Sequence, residues 1–220
     1  QTFVNGINET HFQRKHHPLV FVKLNHILIT FKVCSFHGTS QVLVLKDSPT
    51  QSNLIGIFLI LSISICRFYN ATGGFNGGAI MASIPKYLTP VIKGEIKICN
   101  CSFVNIVAQN EGGAIHITAA AYFSIDNIMI KVIIKSSIFQ NCRAQLKGGM
   151  IYIGNHIKLF LINLMLVTNF RENFQGQGVF IFCKATLLLS DVELIAKYLR
   201  GYTSIFTLNL EVLQGMNNTK

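Results

Sequence analysis

Cleavage of an acidic polysaccharide needs clustered carboxylates, either as a general acid/base pair or as Ca²⁺ ligands beside a basic partner. This chain offers Asp47, Asp126 and Asp191, each in a different stretch, and Glu95, Glu111, Glu172 and Glu193, similarly dispersed. Glu111 precedes a glycine pair where equivalent positions carry Asn76 and Lys147, so it is not a repeated ligand. His116 follows Ile115 and could act as a base, yet no serine or cysteine is paired with it by sequence. Cys99-x-Cys101 and His16-His17 are the metal hints, and neither has partner ligands at a workable spacing. The expectation is no catalytic residue, no cofactor and no metal. A polysaccharide lyase or hydrolase stays as the alternative.

Modification is a second kind of chemistry. Asn-x-Ser/Thr sequons occur at Asn8, Asn70, Asn100 and Asn217, the candidate glycosylation sites of a chain that enters a secretory pathway. Asn70 also belongs to a repeated asparagine, and an inward, stacked asparagine would not carry a glycan. Six cysteines are present: Cys34, Cys66, Cys99, Cys101, Cys142 and Cys183. Cys34, Cys66 and Cys101 each stand two residues before a repeated phenylalanine, with Ser137 at that place in the next block. They fit equally as core thiols or as bridges between stacked strands, and core thiols are the preferred reading.

The chain has 220 residues, 50% hydrophobic and only 13% charged, with a formal net charge of +10. That excludes disorder and suits one domain with a sizeable core. Its lysines are spread singly, at Lys86, Lys93, Lys97, Lys131, Lys135, Lys147 and Lys158, which reads as solvated turn lysines. No nucleic-acid module is recognisable, so no specific nucleic acid is expected. His11, Arg14, Lys15, His16 and His17 suggest a basic arm over 1–18. Leu54 to Cys66 is an uncharged apolar run, but 13 residues fall short of the roughly 20 a spanning helix needs, and its isoleucines favour a strand. A membrane protein is the second alternative.

The elements that must position these residues are written in a repeat. Three blocks align: Leu61 to Asn70 ending in Gly77-Gly78-Ala79-Ile80; Ile96 to Asn105 ending in Gly112-Gly113-Ala114-Ile115; and Val132 to Asn141 ending in Gly148-Gly149-Met150-Ile151. Phe68, Phe103 and Phe139 each precede their glycine pair by nine residues and recur every 35 or 36. Weaker copies lie at Val33 to Phe36 and before Phe180 and Phe206, with Phe180 aligned to Ile151. Period-two alternation within each block is strand patterning, and equivalent positions that stay apolar are what a solenoid needs. Gly77, Gly78, Gly112, Gly113, Gly148 and Gly149 are expected at sharp turns, and Asn70, Asn105 and Asn141 in a turn ladder. A phosphate-cradling loop would need a following helix and a Lys-Ser/Thr, and has neither.

These blocks resemble the right-handed parallel β-helix repeats of polymorphic outer-membrane proteins and of related protist surface proteins. The family's GGA-I/L/V motif is matched at Gly77 to Ile80 and Gly112 to Ile115; its Phe-x-x-Asn spacing occurs only at Phe170 to Asn173. The resemblance covers residues 60 to 185. It implies an all-β, single-stranded right-handed parallel β-helix (a pectin-lyase-like solenoid) over 19–212, of about five to six coils spanning roughly 25–30 Å, with a C-terminal tail at 213–220. It also implies a non-catalytic structural or adhesive module, extracellular or at the cell surface, with cell-surface glycans or proteins as partners. A start at Gln1 suggests a fragment of a larger surface protein, and a membrane anchor on that parent protein is compatible with this reading.

Overall fold

Isoleucine, valine and phenylalanine recur every second residue along this chain, and in the computed structural model those stretches are strands. Residues 2–5, 11–12, 20–23, 27–37, 43–46, 57–84, 92–119, 128–154, 157–168, 180–184, 186–196 and 206–208 are described. The described structure is all-β, and every strand pair in it is parallel.

Three sheets share the strands. The first carries Ile27–Lys32, Ile57–Ser64, Ile92–Cys99, Ile128–Gln140, Ile157–Thr168 and Thr186–Ala196 side by side, with a limb of shorter strands that includes Arg67–Tyr69 and Ser102–Val104. The second runs from Val20–Lys23 through Ile80–Ile84, Ile115–Ala119 and Ile151–Ile153 to Phe206–Leu208. Thr72–Asn76, Val107–Glu111 and Arg143–Ala144 form the third. Within one block the chain passes from the first sheet to its limb, then to the third sheet, then to the second, and so back to a neighbouring strand of the first.

Register follows the repeat. Ile96 pairs with Leu61 and Val132, Ile98 with Ile63 and Ile134, Phe103 with Phe68 and Phe139, and Ile115 with Ile80 and Ile151. All of these side chains are buried in one continuous core. Phe36, Phe68, Phe103 and Phe139 stack ring on ring with centroids 4.9, 4.6 and 4.6 Å apart. Burying each ring contributes about 1.5–3 kcal/mol, and each offset pair adds about 0.5–1.5. Phe180 departs from its expected place: Ile181, not Phe180, pairs with Ile151, and Phe180 accepts the Met150 and Ile151 amides instead. A glycine pair anchors the alignment in the earlier blocks, and its loss there hid the one-residue slip.

Two other expectations change, for the basic arm and for the turn lysines, while the strand reading within Leu54 to Cys66 does not. Thr2–Asn5 and His11–Phe12, expected within the basic arm, are strands of the first sheet, pairing with Ile27–Lys32 and Ser35–His37. Edge pairing needs only free backbone groups, and Phe12 falls into register with Phe36. The rest of 1–18 and the whole of 213–220 lie outside the described residues. Within Leu54 to Cys66, Ile57–Ser64 is a strand, and no helix among the described residues is long and apolar enough to cross a membrane. Finally, Lys97, Lys131, Lys135 and Lys158 lie on strands, not turns.

Candidate functional site

Positive-φ residues mark recurrent bends of the chain. Gly77, Gly112 and Gly148 have φ of 63°, 62° and 58° and turn the chain from the third sheet into the second. Asn70, Asn105 and Asn141 have φ of 52–54°. Their side chains form a ladder: Asn105 Nδ2 donates to Asn70 Oδ1 at 3.2 Å, and Asn141 Nδ2 to Asn105 Oδ1 at 3.3 Å. The ladder faces outward, not inward, with Asn70 and Asn105 exposed. A third row, absent from the sequence reading, lies three residues before each phenylalanine position: Val33, Ile65, Asn100, Ser136, Asn163 and Asp191, with φ of 49–56°. At this row two successive residues point outward before the chain turns in again, as with Lys135, Ser136 and buried Ser137. The strand bends there, as at a β-bulge.

Behind the row, Cys34, Cys66 and Cys101 occupy equivalent positions between strands and are buried at 0–3% exposure; the six cysteines are thiols, not disulfides. Cys101 Sγ donates to the Cys99 carbonyl at 3.2 Å, and Ser137 Oγ, one strand on, accepts the Cys101 amide at 3.1 Å. The hydrogen bond with Cys66 and burial push the Cys101 thiol far above its ordinary value. Burial pushes Cys142 up to about 12. Cys101 and Cys142 are therefore inert core thiols at neutral pH, whereas the hydrogen bond with Cys101 lowers the buried Cys66 thiol to about 7.

At the glycine bend, Glu111 gathers the neighbours that sequence could not assign. Its Oε2 lies 3.3 Å from His116 Nε2 and its Oε1 3.9 Å from Lys147 Nζ. The His116 ring stacks on Tyr152 at 4.8 Å, and Tyr152 on Phe182 at 5.2 Å. His116 points away from the core yet is only 4% exposed. Burial lowers its pKa below 6.5, opposed by Glu111. Tyr152 is raised to about 12 by burial and then by the Glu111 charge. No serine or cysteine bonds to His116, and no group of three metal-ligating side chains occurs, among the described residues.

Asp191 and Glu193, two residues apart on one strand, share a shallow cleft of about 310 Å³ with Ser136, Asn163 and Met165. Ser190 Oγ donates to Asp191 Oδ2 at 2.9 Å, and among the described residues no basic side chain lines the cleft. Of the sequons, Asn8 and Asn217 lie outside the described residues. Asn100 is exposed at the bend, whereas Asn70 Nδ2 is engaged 3.2 Å from His37 Nε2.

The outward side of the first sheet collects the scattered lysines. Lys97 alternates with buried Ile96 and Ile98; Lys131 and Lys135 flank buried Val132 and Ile134; Lys158 precedes buried Leu159. Lys32, Lys97, Lys131, Lys135 and Lys158 are all exposed. The signal was present in sequence as a lysine beside several inward isoleucines and valines of the first sheet, such as Ile96, Ile98, Val132 and Ile134, but only register shows that these lysines share one face. Comparison with protein-family models, curated proteins and solved structures found no match.

Proposed function

We propose that the chain is a right-handed parallel β-helix of about five to six coils, serving as a non-catalytic structural or adhesive module outside the cell, of the GGAI-repeat kind. The observation that carries this reading is the block-to-block register, in which inward isoleucines, phenylalanines and turn asparagines each stack on their own equivalents. Right-handedness follows from the strong preference of parallel crossover connections. A stack of this kind suits a rigid surface module because each layer buries its face on the next. Exposed Asn100 in a sequon supports passage through a secretory compartment. Intact mass of protein from its natural source, before and after deglycosylation, tests that passage. A loss of glycan mass is expected. An unchanged mass removes the sequons as support and leaves the repeat alone to argue for the surface.

One observation favours a second reading, a polysaccharide-cleaving enzyme: Asp191 and Glu193 line a common cleft. On that reading, release of reducing ends or unsaturated products from an acidic polysaccharide would be measurable and would vanish in Asp191→Asn and Glu193→Gln. The module reading expects no turnover.

A further inference from the structure

We propose that the outward face of the first sheet is the docking surface, and that its occupant is a linear anionic polysaccharide. This rests on the surface-module reading and names its ligand class. Three register rows make the face. One runs Ile60, Glu95, Lys131, Lys158; the next Ser62, Lys97, Ile133, Phe160; the third Lys32, Ser64, Cys99, Lys135, Ile162. Five exposed lysines meet one carboxylate in these rows, and Glu95 is already committed to Lys97 at 2.7 Å. Lys131 and Lys158 are direct register partners on neighbouring strands about 4.8 Å apart, an arrangement that repels. An anion laid across the strands relieves that repulsion, and a chain with one charge per sugar unit presents anions at close to the spacing of successive strands.

The face suits a glycan better than other polyanions. Bases of a single-stranded nucleic acid need aromatic platforms. Phe160 is the aromatic residue of these rows, and Lys131 Nζ already sits 4.9 Å over its ring. Insertion into a lipid surface needs projecting apolar side chains, whereas Ile60, Ile133, Phe160 and Ile162 are half-buried between the lysines. Serine at 62 and 64 shows that the face accepts small polar residues, so lysine-to-serine changes keep the fold.

The test measures binding of the full chain to polygalacturonate, heparin, double-stranded DNA and phosphatidylserine vesicles across a salt series. Polygalacturonate or heparin is expected to bind at least about tenfold more tightly than DNA or vesicles, weakening as salt rises. The Lys131→Ser, Lys158→Ser double variant is expected to lose about tenfold, while the charge-matched Arg143→Ser, Lys184→Ser control, with Arg143 on the third sheet and Lys184 just after the second sheet's Ile181–Cys183, keeps wild-type affinity. Equal loss in both variants, DNA or vesicles binding as well as the glycans, or no binding by folded protein would each overturn the proposal. Binding followed by cleavage of polygalacturonate would instead overturn the non-catalytic reading and leave the face standing.

Discussion

The glycine bend and the bend before the phenylalanines use the same left-handed backbone, but under different constraints. At the glycine bend the space beside the backbone is occupied. A Cβ on Gly112 would strike the Ile115 carbonyl oxygen and come within 3.0 Å of His116 Cβ; one on Gly113 would strike the Gly149 carbonyl oxygen and lie 2.5 Å from the Arg143 amide nitrogen. At the other bend, residues as different as Val33, Ile65, Asn100, Ser136, Asn163 and Asp191 hold the same φ. There the cost is only that of the left-handed conformation, about 1–2 kcal/mol for an L-residue. A steric exclusion fixes the residue type, whereas a modest conformational cost lets it drift.

The sharpest way to break this contrast is Gly113→Ala. Its Cβ meets backbone on the next layer, which cannot give way without disturbing the stack, so the loss is expected to exceed about 3 kcal/mol. Urea unfolding checks it; a loss under 1 kcal/mol would mean the bend is looser than its contacts. Asn105→Ala comes next. It removes both ladder bonds of Asn105 and puts a residue ill-suited to positive φ at 54°. About 1–2 kcal/mol should be lost, and an unchanged midpoint would show that the ladder is ornamental.

At the permissive bend the sign reverses. Ile65 is β-branched, half exposed and at φ 56°, so Ile65→Asn is expected to stabilise by about 1 kcal/mol. A destabilised variant would show that Ile65 does something besides turning the chain.

The smallest effect concerns His116, beside the glycine bend. Its folded pKa lies below 6.5 because burial disfavours the imidazolium. Between the folded and unfolded values the unfolded chain binds the extra proton, so stability is full above about pH 6.5 and falls as the pH drops below it. Unfolding midpoints from pH 8 to 5 should show that decline, reduced in His116→Gln. An identical profile in the variant would clear His116 of any part in it.

Sequence legibility followed the same division. The phenylalanine column, the inward isoleucines and the glycine pairs could be aligned by eye, because a buried ring of fixed size and a site without room for a Cβ tolerate few residue types. The bend at Ile65 and Asn100 went unseen because its residues share a φ and no side-chain chemistry. Phe180 was misplaced by one residue where the glycine marker is missing. The Glu111–His116–Lys147 contacts were invisible, since Glu111 and Lys147 are 36 residues apart and meet only through register.

What the sequence determined by itself is the strand content and its period: alternation forces one face inward, and a 35- or 36-residue spacing returns each apolar position to its equivalent. What only the tertiary structure decided is which outward residues become neighbours. Buried positions are constrained one by one, so each leaves its mark in the chain. Exposed lysines are constrained by nothing local, and Lys131 and Lys158 became a pair only when two strands were laid in register.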